Sequence, residues 1–303
     1  MQRRFQRWLL AGLLMASAAA PAGAALQVVA CEPEWGALAR ELAGEGTEVR
    51  VLTAARQDPH HIQARPSLVA AVRQAELVVC TGAELEVGWL PVLLRQSGNP
   101  AIQPGQPGYF EAAAQVRLLE VPGRTDRVDG DVHPSGNPHI QGDPHRIAQV
   151  AAALARRLAE LDPAHAAVYH GRHADFAARW QGAIQRWEKA AAPLRGVAVV
   201  SHHKSFIYLT GWLGMVEVAQ LEPKPGLEPS SAHLAGVLAS LERQPARMIL
   251  RTPYNDGRGS LWLAERAHIP ALVLPGTVGG SEGAGDLFGL FDDSLAVLLG
   301  ALR

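Results

Sequence analysis

Two things are scarce in this chain: an excess of charge of either sign, and long apolar runs beyond its first two dozen residues. Its 28 Lys and Arg against 29 Asp and Glu leave a formal net charge of −1. That gives no electrostatic reason to expect nucleic acid or an anionic membrane surface as partner. No stretch after the N-terminal one is long enough to span a bilayer. There is no short-period repeat and no low-complexity tract. His-Glu-x-x-His, a Ser nucleophile elbow and a Gly-rich phosphate loop are all missing, so the commonest hydrolytic and nucleotide-binding signatures do not apply. Cysteine is rare too, with two in 303 residues, Cys31 and Cys80.

What is present describes an ordinary globular protein, 48% hydrophobic and 19% charged, long enough for one large or two modest domains. Arg3, Arg4 and Arg7, then the apolar Trp8 to Ala20, then Ala22-Gly23-Ala24 read as a secretory signal with cleavage near Ala24/Ala25. Val28-Val29-Ala30-Cys31 loosely resembles a lipid-attachment box. Cys31, however, lies beyond the cleavage site and inside an expected strand, which favours a soluble mature protein. Both cysteines end β-prone runs, Leu26 to Ala30 and Leu77 to Val79. An oxidising compartment permits a disulfide between them, with two buried thiols as the alternative.

Strand and helix patterns then alternate. Leu26–Ala30, Glu48–Thr53 and Leu77–Val79 are expected strands, and a short strand is expected at Val116–Val121. Between them run helices marked by Trp35, Leu38 and Leu42, by Leu68, Val69 and Val72, and by Trp89, Leu90, Leu93 and Leu94. Gly123 to Gly136 is a polar loop containing His133. Asp143-Pro144 and Asp162-Pro163 each signal a helix start. The second opens the longest helical stretch, to about Ala191, on the order of 40 Å at 1.5 Å per residue. His165, His170 and His173 ride on it as exposed positions. Alternation resumes with strands at Val197–Val200, Val216–Leu221, Met248–Leu250 and Ala271–Leu274, and helices at Phe206–Leu213, Ala232–Leu241 and Leu287–Leu302. The expected organisation is a signal peptide (1–24), an N-terminal α/β lobe (25–142), a helical segment with the long linking helix (143–192) and a C-terminal α/β lobe (193–303).

Three of the 12 histidines stand apart: His60 in Asp58-Pro59-His60-His61, His139 in Gly136-Asn137-Pro138-His139, and His203 in Ser201-His202-His203. Any one alone reads as a satisfied core or surface residue. Together, each follows a strand or a Pro-rich loop, where α/β sheets gather their ligands. Three imidazoles offered from three loops suit Zn²⁺, with Cu and Ni as chemical competitors.

Asp58-Pro59-His60, Arg65-Pro66-Ser67, Gly82-Ala83-Glu84-Leu85-Glu86, Asn137-Pro138-His139 with Asp143-Pro144, and Ser201-His202-His203 with Phe206 and Tyr208 follow one another in order. This ordered set resembles the metal-specific solute-binding proteins of bacterial ABC importers over essentially the whole mature chain. The resemblance implies two Rossmann-like lobes with parallel sheets, joined by one rigid backbone helix, with a divalent metal in the cleft. It implies His60, His139 and His203 as ligands, Zn²⁺ rather than Mn²⁺ as cargo, a periplasmic monomer and an ABC permease as partner, without catalysis. Family members often add an acid after a late strand. Here those places read Leu250-Arg251-Thr252-Pro253 and Val273-Leu274-Pro275-Gly276, leaving Glu222, Glu228, Asp256, Glu282, Asp286 or water for the fourth position. The long His-rich loop of many zinc members is reduced to His133. A secreted zinc hydrolase using the three histidines, and a receptor for manganese or another divalent metal, are the competing readings.

Overall fold

The computed structural model describes residues 26–44, 47–123 and 130–303; the signal peptide expected at 1–24 lies outside the described residues. Among the described residues, eight short strands make two four-stranded parallel sheets. The first holds β1 (Gln27–Ala30), β2 (Glu48–Val51), β3 (Leu77–Cys80) and β4 (Tyr109–Glu111) in the order β2-β1-β3-β4. The second repeats that order with β5 (Ala198–Ser201), β6 (Val216–Gln220), β7 (Met248–Arg251) and β8 (Ala271–Val273), as β6-β5-β7-β8. Central strands of such sheets are covered on both faces and read as continuous apolar runs. All four residues of Leu77-Val78-Val79-Cys80 are buried, whereas the edge strand Glu48-Val49-Arg50-Val51 alternates exposed and half-buried.

The strand expected at Val116–Val121 is not one. The fourth strand of the first sheet is β4, paired in register with β3 from Val78 opposite Tyr109. Phe110 enters the core between the half-buried Tyr109 and Glu111, the alternation of a half-covered edge. The 116–121 segment leaves the sheet, and Leu119 instead accepts from the Asn137 amide and donates to the Tyr208 hydroxyl.

Helices α1 (Pro33–Ala43), α2 (Pro66–Gln74) and α3 (Leu90–Ser97) cover the first sheet, all three with Pro in the first turn, where its missing N–H costs nothing. Then α4 (Pro144–Leu161), capped by the Asp143 side chain, leads through a tight turn to α5 (Ala166–Ala190). At 25 residues α5 is about 37 Å long. In the second lobe come α6 (Ile207–Leu213), α7 (Ser231–Leu241), α8 (Gly257–Ala267) and α9 (Leu287–Gly300). The α5 stripe Phe176, Trp180, Ile184 and Trp187 is buried against Phe288 and Phe291 of α9. Ring centroids stand 4.9 Å apart for Trp180–Phe288 and for Trp187–Phe291. Each such pair contributes about 0.5–1.5 kcal/mol beyond area burial. The core formed here is continuous with the buried faces of α1 and α4, so one apolar interior runs through both lobes. Two smaller cores lie on the outer faces of the sheets. The lobes therefore share a spine rather than a hinge, and the cleft between them lies beyond the carboxyl ends of the strands.

Candidate metal centre

His60 comes from the loop between β2 and α2. Pro59 holds that loop to the first lobe, because its carbonyl accepts the buried Trp89 indole N–H at 2.8 Å. Asp58 accepts the His60 backbone amide at 3.0 Å and sits 2.7 Å from its ring Nδ1. Burial raises the Asp58 pKa, but the hydrogen bond and charge of His60 outweigh it and hold the carboxyl below its ordinary value. His203 follows β5 and has a parallel arrangement, its Nδ1 lying 2.7 Å from Glu222 Oε2. A carboxylate on Nδ1 selects the tautomer that leaves Nε2 as a lone pair, which is how metal-ligating imidazoles are oriented. His139 precedes α4 and is 2% exposed. The Asn137 side chain accepts its amide at 3.0 Å and donates to the Lys204 carbonyl, while the Tyr208 hydroxyl donates to the Asn137 carbonyl at 2.6 Å. The Asn137-Pro138-His139 corner is thus fastened to the second lobe.

These three loops bring His60, His139 and His203 together. Their ring centroids form a near-equilateral triangle with sides of 5.5, 5.4 and 5.4 Å. One nitrogen from each lies within 4.8 Å of the other two, and among the described residues no carboxylate oxygen joins that group. The Nε2 atoms of His60 and His139 are buried without a hydrogen-bond partner, an arrangement that costs free energy unless a ligand satisfies them. Burial first, and the neighbouring imidazoles second, hold His139 well below the ordinary histidine pKa, so its nitrogen is free of a proton at neutral pH.

The neighbouring histidines do not converge. The His61 side chain is 63% exposed and lies 3.4 Å from Asp131. His202 is 1% exposed and buried behind Glu222, 3.7 Å from its second oxygen. None of the five acids weighed for the fourth position completes the site. Glu222 holds His203 and accepts the Gly226 amide. Asp256 and Asp286 cap α8 and α9, and Glu228 and Glu282 are exposed.

The structure decides one alternative that the sequence left open and adds a group of acids that sequence reasoning passed over. Cys31 and Cys80 form a disulfide between the ends of β1 and β3, with Cα atoms 4.8 Å apart. Around it lie the buried carboxyls of Glu32, Glu34 and Glu86. Glu86 accepts the Thr81 and Gly82 amides, and Glu32 accepts the Thr81 amide and hydroxyl. Burial pushes Glu34 and Glu86 up to about 7 and raises Glu32 well above the ordinary carboxylate value, the last also through repulsion from Glu86. Glu34 accepts the Thr277 hydroxyl from the opposite lobe. No periodicity marks these acids, although Gly82-Ala83-Glu84-Leu85-Glu86 flagged the turn that holds one of them. A cleft of about 520 Å³ opens to solvent at His203, His133 and Asn137.

The family described as "Zinc-uptake complex component A periplasmic" matches residues 28–301. The chain is 25% identical to the high-affinity zinc uptake system protein ZnuA of Paracoccus denitrificans, over 97% of this chain and 98% of that one. It is 22% identical to the ZnuA of Yersinia pestis, over 82% and 81%. Among solved structures, a crystal structure of ZnuA superposes with a TM-score of 0.77 at 20% identity, covering 92% of this chain and 100% of that one. A zinc-bound ZnuA deletion mutant superposes at 0.72 and 22% identity, over 90% and 98%. Both share the two-lobed fold.

Proposed function

The chain belongs to the periplasmic zinc-uptake component A family, and from that premise we propose that it captures Zn²⁺ through His60, His139 and His203 and delivers it to an ABC permease. The family is one of solute-binding receptors, and zinc is cargo here rather than a resident cofactor. The observation that carries the assignment of ligands is the convergence of three imidazoles, two with unpartnered buried Nε2 atoms. On this reading the lobes are 25–142 and 193–303, bracketing the helical segment 143–192, and export removes 1–24 near Ala24/Ala25.

His60 comes from the first lobe, His203 from the second, and His139 from the corner where they meet, so one ion ties all three. Binding to the folded state alone raises thermal stability by mass action. Because one apolar interior runs through both lobes, uptake proceeds by small loop and lobe shifts. Protons compete with the metal for imidazole nitrogen, so affinity falls as pH drops; burial works against protonation of His139.

Calorimetric titration of metal-stripped mature protein with Zn²⁺ and, separately, Mn²⁺ tests the assignment. Tight one-to-one zinc binding is expected, much weaker for manganese. His203→Ala and His139→Ala should lower zinc affinity by more than the about 10–100-fold typical of losing only an outer-shell partner, while His61→Ala leaves it near wild type. A sensitive His61 and an insensitive His203 would overturn the ligand set.

A further inference from the structure

We propose that His133, from the loop roofing the cleft, supplies the fourth ligand and makes the zinc sphere an all-imidazole one. This rests on the receptor reading above and goes beyond it by filling a position that the carboxylates leave open. With Zn–N bonds of about 2.0–2.1 Å at tetrahedral angles, the ring centroids of two coordinated imidazoles stand about 5.2 Å apart. The triangle of His60, His139 and His203, at 5.4–5.5 Å, is already close to that spacing. The His133 ring lies 5.4 Å from His60 and 6.5 Å from His139. The first separation matches a shared tetrahedral ion and the second exceeds it by about 1 Å; His133 lies outside the group whose nitrogens are mutually within 4.8 Å, so on this proposal its ring steps inward toward His139 and His203.

The surroundings of His133 point the same way. No well-formed hydrogen bond reaches its buried ring nitrogens, although the Ala83 backbone interacts with the ring. Unsatisfied nitrogens alone do not mark a ligand, since buried His202 has them too; those of His133 stand out because the ring lies beside His60 and His139 and lines the open cleft. The loop that carries it is fastened on both sides of the cleft. Ser135 donates its hydroxyl and its amide to Glu84 of the first lobe at 2.8 and 3.2 Å. Asp131 donates its amide to the Pro225 carbonyl of the second at 2.9 Å. The turn beneath, Gly82-Ala83-Glu84, runs through three consecutive left-handed residues with φ of 77, 49 and 61°. It is held in that uncommon shape by the Glu86 carboxylate on the Thr81 and Gly82 amides. The loop after β8, the other route to the fourth position, is committed elsewhere, since its Thr277 donates to Glu34.

An imidazole in this position has a chemical consequence. Nitrogen-only coordination favours Zn²⁺ over hard, oxygen-preferring Mn²⁺, whereas water or a carboxylate there relaxes that preference. Zinc-edge X-ray absorption on the one-to-one complex counts imidazoles directly. Four are expected in the wild type and three in His133→Ala. The zinc affinity of His133→Ala should fall by at least the about 10–100-fold seen when a metal site loses an outer-shell partner. His133→Asp should narrow the gap between zinc and manganese. Three imidazoles in the wild type, unchanged in His133→Ala, would overturn the fourth ligand while leaving the three-histidine receptor intact. Failure of the wild type to bind zinc at all would overturn both.

Discussion

The two sheets share one strand order, and their hydrogen bonds make positions after the first strand of each directly comparable. Cys31 donates to Val79 as His202 donates to Leu250, and Thr53 reaches Cys31 as Glu222 reaches His202. By this correspondence Cys31 matches His202, Glu32 matches His203 and Thr53 matches Glu222. In the second lobe the place holds the His203 imidazole, a proposed ligand, with its carboxylate partner. In the first it holds a disulfide and a buried acid, and the lobe's imidazole comes instead from the loop after the edge strand β2. The same backbone offers the same cleft-facing positions in both lobes. On the proposed ligand set, one lobe uses them for metal binding and the other for bracing, so a single ion would meet ligands from different depths of the two scaffolds.

Removing the brace tests whether the first lobe needs it. Replacing both cysteines, Cys31→Ala with Cys80→Ala, opens a cross-link spanning 49 positions and should destabilise the metal-free protein by about 2–4 kcal/mol. Denaturant unfolding measures it, with zinc stoichiometry as the control. An unchanged midpoint would mean that β1 and β3 hold their register by packing alone. Next in size are the two carboxylates on the imidazoles. Asp58→Ala and Glu222→Ala should each weaken zinc binding by about 10–100-fold. If only Glu222 matters, the second lobe orients its ligand while the first relies on the tether from Pro59 to Trp89.

Much of this was legible because it is local. Strand runs bounded by turn residues, helices announced by Asp-Pro, and histidines just past strand ends can all be read along the chain. Two elements were misread for physical reasons. At 116–121 an apolar run looks like a strand but spends its backbone groups on Asn137 and Tyr208, while the true β4 is only three residues long. Helix α8 hides behind Gly257 and Gly259 in its first turn, and Asp256, weighed as a ligand, is its cap. The position of His133 beside the triangle, and of Glu32 beside Glu86, depends on contacts between segments about 50 residues or more apart. No pattern along the chain carries that.

The smallest expected effect concerns the acids of the brace. Between the ordinary carboxylate value of 4.5 and about 7, the unfolded chain ionises Glu86 while the folded chain keeps it protonated. The folded state then holds the extra proton, so the contribution of Glu86 to stability falls as pH rises through that window and levels off above about 7. His139 and His133 act in the opposite sense. Buried imidazoles bind fewer protons folded than unfolded below 6.5, so their contribution rises with pH. A raw stability profile mixes the buried acid with the buried imidazoles, and the difference between wild type and Glu86→Gln separates them. The amide oxygen still accepts from Thr81, the N–H₂ replaces the oxygen that accepted from Gly82 at a cost that does not vary with pH, and nothing remains to ionise at this position. Relative to wild type, the variant should therefore gain a few degrees in Tm between pH 4.5 and pH 7.5 when metal is absent. A difference that does not change with pH would mean that Glu86 ionises in the fold as readily as outside it, and that the brace carries charge.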